Sequence, residues 1–198
     1  MNTRTAYILT TNKLSDRTLF SQSVLEKIGF SVILVQHIPH QDNVMSNKIS
    51  MQHIYSLIAN GTDNYAYVFE DDINLLEPIT LDEIIQYENI SDMFFYLGAC
   101  TYSNNWKQTS KHKTMINNHS VYTMRGCVRG LHAVGFSKLG ASLFLDFSKN
   151  SNERYMDMIL EQFTYIYPAN IVRYDLQSYI PGHRGILFQD RKRFPSSI

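Results

Sequence analysis

Three neighbouring segments constrain this chain most. Ala6-Tyr7-Ile8-Leu9-Thr10 is a short apolar run closing on a polar residue. From Thr18 to Ile28 the apolar residues Leu19, Phe20, Val24, Leu25 and Ile28 recur at helical spacing, and Gly29 follows as a C-cap. Ser31 to Val35 is a second apolar run. Strand, helix and strand within 36 residues predict a βαβ unit, whose two strands must lie parallel because the helix crosses over between them. A parallel pair is buried on both faces, so the expected class is α/β: a mixed, mainly parallel central sheet flanked by helices.

The rest of the chain extends this pattern. A second helix is expected from about Ser46, as N-cap, to Ala59, with Ile49, Ile54, Leu57 and Ile58 inward and Asn60-Gly61 stopping it. Tyr65 to Phe69 reads as the third strand and Met93 to Leu97 as the fourth. Residues 101–120 are rich in Ser, Asn, Lys, Thr and His, and read as a long loop. Strands are expected at Val121 to Met124, Leu131 to Phe136 and Ile171 to Tyr174, helices at Lys138 to Phe147 and Arg154 to Phe163, and a turn at Pro181-Gly182-His183-Arg184-Gly185. No linker or repeat divides the 198 residues, so one domain, 1–198, is expected.

Charge narrows the partners. Eighteen basic residues balance eighteen acidic ones, which removes the global positive field of a nonspecific nucleic-acid binder. The basic run Arg191-Lys192-Arg193 is expected to be a solvated tail, with phosphate or membrane-surface contact as the alternative. Cys100 and Cys127 form no CxxC pattern and leave a single disulfide open. With no apolar stretch of signal-peptide or membrane-span character, a soluble, cytoplasmic protein is expected.

The chemistry concentrates at Tyr67-Val68-Phe69-Glu70-Asp71-Asp72, where three consecutive carboxylates end an apolar strand. Ligands of open α/β sheets gather at the carboxyl ends of strands. Adjacent carboxylates repel one another, and a hard divalent cation, Mn²⁺ or Mg²⁺, relieves that repulsion while keeping positions free for phosphate oxygens. The bland alternative is a solvated acidic turn.

The segment Tyr65 to Asn74 resembles the acidic-cluster segment of glycosyltransferase family 25, which includes lipopolysaccharide sugar transferases and collagen galactosyltransferases, and is similar to small glycosyltransferase domains of large DNA viruses. Gly130 to Phe144 resembles the same family's strand-to-helix segment, and Glu153 to Leu160 its downstream segment, with Asp157 at the acidic position. The resemblance implies a GT-A fold and transfer of a hexosyl or deoxyhexosyl group from a nucleotide-sugar donor, UDP-sugar favoured, to a glycan or other hydroxyl acceptor. It implies that Glu70 and Asp72 hold the outer positions of an Asp-any-Asp motif against the donor diphosphate, with Asp71 between them. It also implies a metal sphere completed by a C-terminal histidine, His183. One departure is visible: the family's Ser-His pair in the second helix is Ser50-Met51 here, with His53 nearby.

Further candidates follow. Thr10, Thr11, Asn12 and Arg17 follow the first strand and offer hydroxyl, amide and guanidinium donors for base, ribose and phosphate. Arg184 offers a fixed fork of donors to a phosphate. Asp157 is the expected base for an acceptor hydroxyl, with Glu153 as competitor. Arg125 and Arg129 could reach phosphate or sugar, and Trp106 could stack on an acceptor sugar. Two rival functions remain. A haloacid-dehalogenase-type phosphohydrolase would want Asp where Glu70 stands and a hydroxyl where Asn74 stands; a non-catalytic nucleotide- or glycan-binding domain would bind without turnover.

Overall fold

The computed structural model describes residues 3–100, 110–117, 119–126, 128–173 and 183–195. Chain order is β1 (Thr5–Thr10), α1 (Asp16–Ile28), β2 (Ser31–Gln36), α2 (Asn43–Asn60), β3 (Tyr65–Glu70), β4 (Ile73–Leu75), α3 (Leu81–Glu88), β5 (Phe94–Cys100), β6 (Ser110–Ile116), β7 (His119–Met124), β8 (Arg129–Ser137), α4 (Lys138–Asn150), α5 (Met156–Ile166), β9 (Ala169–Val172), β10 (His183–Gly185) and β11 (Leu187–Gln189). The main sheet runs β2-β1-β3-β8-β5-β9-β7-β6, with β10 added to β5. It is mixed and flanked by helices on both faces, as expected. β2, β1 and β3 are mutually parallel, as are β5 and β9; the other pairings in this sheet are antiparallel.

The strand pleat sorts side chains into two cores. On one face Val68, Tyr96, Val134 and Phe136 pack with Tyr55 and Ile54 of α2, Phe144 of α4 and Leu160 and Phe163 of α5. On the other, Ile8, Tyr67, Phe69 and Phe95 pack with Leu25 of α1 and Ile84 of α3. A strand buried on both sides must be apolar throughout, which is why β3 reads as an unbroken run until Glu70. Among the described residues no helix is long and apolar enough to cross a membrane.

Several elements differ from expectation. α2 begins three residues early because Asp42, not Ser46, caps it: the Asp42 Oδ1 accepts from Val44 N at 2.8 Å and Met45 N at 3.3 Å. A carboxylate also suits the positive end of the helix dipole. Ser46 lies buried inside the helix, its hydroxyl donating to the Ile38 carbonyl at 2.6 Å. α3 was not anticipated, although Thr80 and Glu83 form a capping box around its start. The final part of the expected loop, 110–116, is strand β6. It is the last strand of the sheet, and its neighbourhood from Lys111 to Ile116 is largely exposed, so it has no need of aliphatic residues. The expected turn at 181–185 contains strand β10, paired antiparallel with Gly98, Ala99 and Cys100. Glycine at 185 permits this: its φ is +101°, and a Cβ there would run into the Leu97 carbonyl of β5. Trp106 and Cys127 lie outside the described residues.

Candidate functional site

Parallel strands bring their C-terminal ends to one edge. Thr10 of β1 stands opposite Gln36 of β2, and Leu9 opposite Glu70 of β3. The residues that follow, His37 and Asp71-Asp72, therefore share that edge. Ser15 caps α1, and the first turn of the helix carries Arg17 and Thr18 back over it. Thr10 Oγ1 donates to Asp71 Oδ2 at 2.9 Å, and Thr18 Oγ1, 2.7 Å from Thr10 Oγ1, donates to the Asn12 carbonyl at 2.9 Å. The loop after β1 thus meets the acidic cluster through buried hydroxyls, while Thr11 and Asn12 are exposed.

The cluster is crowded and only partly compensated. Arg17 Nε donates to Asp71 Oδ1 at 2.6 Å, and Arg17 Nη2 lies 3.3 Å from Asp72 Oδ2. Asp72 Oδ1 is buried and makes no hydrogen bond. Gln189 Nε2 donates to Glu70 Oε2, and Arg191 Nη2 donates to Gln189 Oε1 at 3.4 Å. Desolvation pushes the Glu70 carboxyl up to about 8; Asp72 pushes the same way, against Arg191 and Arg17. Desolvation also raises Asp72, opposed by Arg17. Burial is the main cause of both shifts, with repulsion from neighbouring carboxylates adding to it.

The C-terminal segment closes over this edge. β11 pairs with β4, Asp190 N donates to the Asp72 carbonyl at 2.6 Å, and Asn74 Nδ2 donates to Asp190 Oδ2 at 3.0 Å. The basic run is exposed, as expected, but its backbone is held against the acidic cluster and is not a loose tail. Arg191 acts on Glu70 and Asp72, and the Arg193 guanidinium lies 4.0 Å from the Phe20 ring centre, where the ring's negative face attracts it.

His183 and Arg184 lie on β10. His183 Nε2 is 3.4 Å from Cys100 Sγ, and its ring stacks on that of His132 at 5.4 Å. Burial lowers both imidazoles, His132 to about 3 and His183 to about 4, with Arg191 pushing the same way. Both are neutral at neutral pH. Arg184 Nη1 donates to the His183 carbonyl at 2.8 Å.

Asp157 sits in the first turn of α5 on the other side of the sheet edge. Its Oδ1 accepts from Met158 N at 2.9 Å, and desolvation raises its pKa, against the nearby Arg129. Arg129 itself pairs with Glu161, Nε to Oε2, at 2.7 Å. Glu70 alternates with Val68 and so points to the same face as Asp157. The buried hydroxyls of Tyr55 and Tyr96, neither with a hydrogen-bond partner, lie on this face too. Glu153 is turned back on its own turn, accepting from Arg154 N and Tyr155 N, and Arg125 is exposed.

A divalent ion can be tested against these groups. Among the described residues no three His, Cys, Asp or Glu side chains converge as a metal centre, so Glu70, Asp72 and His183 are not gathered into one. β10 ties His183 to β5, and its ring faces Cys100 and His132 instead. Asp72 Oδ1, a buried and unpartnered hard oxygen beside a second carboxylate, does fit such an ion.

Sequence reasoning missed His37, Gln189, Asp190, His132 and the two tyrosine hydroxyls. His37 had a signal, since it directly follows a parallel strand; its imidazole is lowered by burial while Asp71 pulls it up. A groove lined by Thr5, Ile33, Leu57 and Asp63 lies at the opposite, N-terminal edge of the strands. Its one carboxylate, Asp63, already accepts from the Thr5 hydroxyl at 2.6 Å.

No protein-family model matches the chain, and no curated protein sequence does. Among solved structures, UDP-glucose pyrophosphorylase complexed with UDP-glucose superposes with a TM-score of 0.48 at 8% identity, over 84% of this chain and 89% of that one. The apo-form glycosyltransferase GlyE of Streptococcus pneumoniae TIGR4 gives 0.45 at 11%, over 85% and 44%. A197 from STIV gives 0.41 at 13%, over 87% and 84%.

Proposed function

We propose that this chain is a GT-A-type glycosyltransferase that moves a sugar from a nucleoside-diphosphate sugar, UDP-sugar favoured, to a hydroxyl of a glycan or glycoconjugate. One observation carries the reading: at the C-terminal edge of the parallel strands, Asp72 keeps one carboxylate oxygen buried and unpartnered while its other oxygen lies 3.3 Å from the Arg17 guanidinium. The unpartnered oxygen suits a cation, and a guanidinium suits the phosphate oxygens that would arrive with it. A metal-bound diphosphate supplies both at once.

In this reading Asp72 and Glu70 hold Mn²⁺ or Mg²⁺, and His183 is left out of the set. When bound, the ion offsets charge building on the leaving diphosphate. Arg17, Arg191 and Arg184 are the cationic groups for phosphate oxygens. Thr11 and Asn12, exposed at the end of β1, and His37 are the groups this reading assigns to ribose and base. Asp157 takes the proton of the attacking hydroxyl; a carboxyl raised by desolvation is the better base for it.

Thermal-shift measurements with UDP-, GDP- and CMP-sugars, each with and without Mn²⁺, test this. Stabilisation that needs nucleotide and metal together is expected, largest for the UDP compound. Indifference of the melting temperature to every pairing removes the proposal. Release of UDP from the stabilising donor then separates a transferase from a domain that only binds.

A further inference from the structure

Arg17 has a position that a simple phosphate grip does not explain. Its guanidinium is spent on the acidic cluster, 2.6 Å from Asp71 Oδ1 and 3.3 Å from Asp72 Oδ2. It spans the carboxylate that offers the unpartnered oxygen and its neighbour. A divalent cation arriving alone meets a fixed positive charge already seated on the carboxylates it needs. Arg17 cannot lose its proton to make way. It can move, because it projects from the first turn of α1 and is about a quarter exposed, 26%.

We infer that Arg17 is the resident counter-cation of the cluster, and that its transfer from the carboxylates to the diphosphate couples metal entry to nucleotide entry. This rests on the site reading proposed above. Phosphate oxygens accept a guanidinium fork bidentately, so the incoming diphosphate offers Arg17 an equivalent partner. Its departure frees Asp72 Oδ2 and removes the repulsion on the ion. Asp71 is not stranded by the move, since Thr10 Oγ1 still donates to its Oδ2. Arg191 is not equivalent: it is exposed and reaches Glu70 through Gln189. Metal and diphosphate then bind weakly apart and tightly together, and each must tighten the other by the same factor.

The test is Mn²⁺ binding to the metal-stripped full chain, followed by electron paramagnetic resonance of free Mn²⁺, with and without saturating UDP. Wild-type protein is expected to bind Mn²⁺ about tenfold tighter with UDP than without. Arg17→Gln should bind Mn²⁺ alone about tenfold tighter than wild type, and its gain from UDP should fall below about threefold. Arg17→Lys keeps the charge and should keep most of the suppression. If Arg17→Gln matches wild type in both measurements, or if Arg17→Lys behaves as Arg17→Gln, the counter-cation role is overturned while the site reading stands. If Mn²⁺ with UDP binds no better to wild type than to Asp72→Asn, the site reading itself fails and takes this inference with it.

Discussion

Two clusters in this protein pair carboxylates with a guanidinium, and they are built inside out from each other. In one, Arg173 is the buried partner, its side chain 2% exposed, and the acids that hold it, Glu77 and Glu83, are about one third exposed. In the other the acids are the more buried side, with Asp72 at 2% and Asp71 at 12%, and Arg17, at 26%, is the more exposed partner. The first is a clamp. Two solvated acids converge on one desolvated cation, His119 stands 3.7 Å from Glu77, and Arg173 N donates to the Ser120 carbonyl at 3.0 Å, tying the end of β9 to β7. The second is the receptor proposed above, in which desolvated acids outnumber the guanidinium paired with them and one oxygen of Asp72 is left without a partner. The buried charge is the one that cannot turn to water, so in the first cluster the cation depends on its acids and in the second the acids depend on a cation.

The largest effect should come from the receptor. Asp72→Asn is expected to lower transfer by roughly 10²–10⁴-fold with no loss of melting temperature, since it removes a repelled charge. A matching fall in stability would make Asp72 a clamp residue like the others. Next comes the clamp, where the loss should depend on which side is cut. Glu77→Gln leaves the buried cation with Glu83 alone, 3.6 Å away, and should cost about 3 kcal/mol in denaturant unfolding. Arg173→Met leaves two acids that water can reach and should cost less. The reverse order would break the distinction. The smallest effect is the pH dependence of the receptor in chelator-treated protein. The folded-state pKa of Glu70, at about 8, lies above its ordinary value near 4.5. Between those values the folded chain keeps a proton that the unfolded chain has released, so stability falls as pH rises through that window and levels off above it. Glu70→Gln should flatten the slope. Because Glu70 is only partly buried by surface, the difference should be about a few °C in melting temperature.

What was legible from the residues was whatever a local period or a local charge could carry. The βαβ start, β3 and the helix at 138–150 follow from apolar spacing alone, and Glu70-Asp71-Asp72 announces itself by adjacency. Asp42 was less legible than Ser46 because both are acceptable caps, and the choice depends on where the chain from β2 re-enters the core. β6 was illegible because an exposed edge strand needs no apolar residues, so its composition matches that of a loop. Gln189 and Arg191 were illegible for a different reason. They reach Glu70 across more than a hundred residues of chain, a separation no sequence window spans.

The sequence by itself determined that strands and helices alternate from the N-terminus, and that three negative charges end a buried strand. Burial requires apolar side chains at a fixed period, and that period is written in order along the chain. Only the tertiary structure decided which cations answer those charges, that His183 turns to Cys100 and His132 instead, and that one oxygen of Asp72 is left unanswered. Electrostatic partners are set by distance in space, and the sheet order that sets those distances comes from the packing of the whole chain.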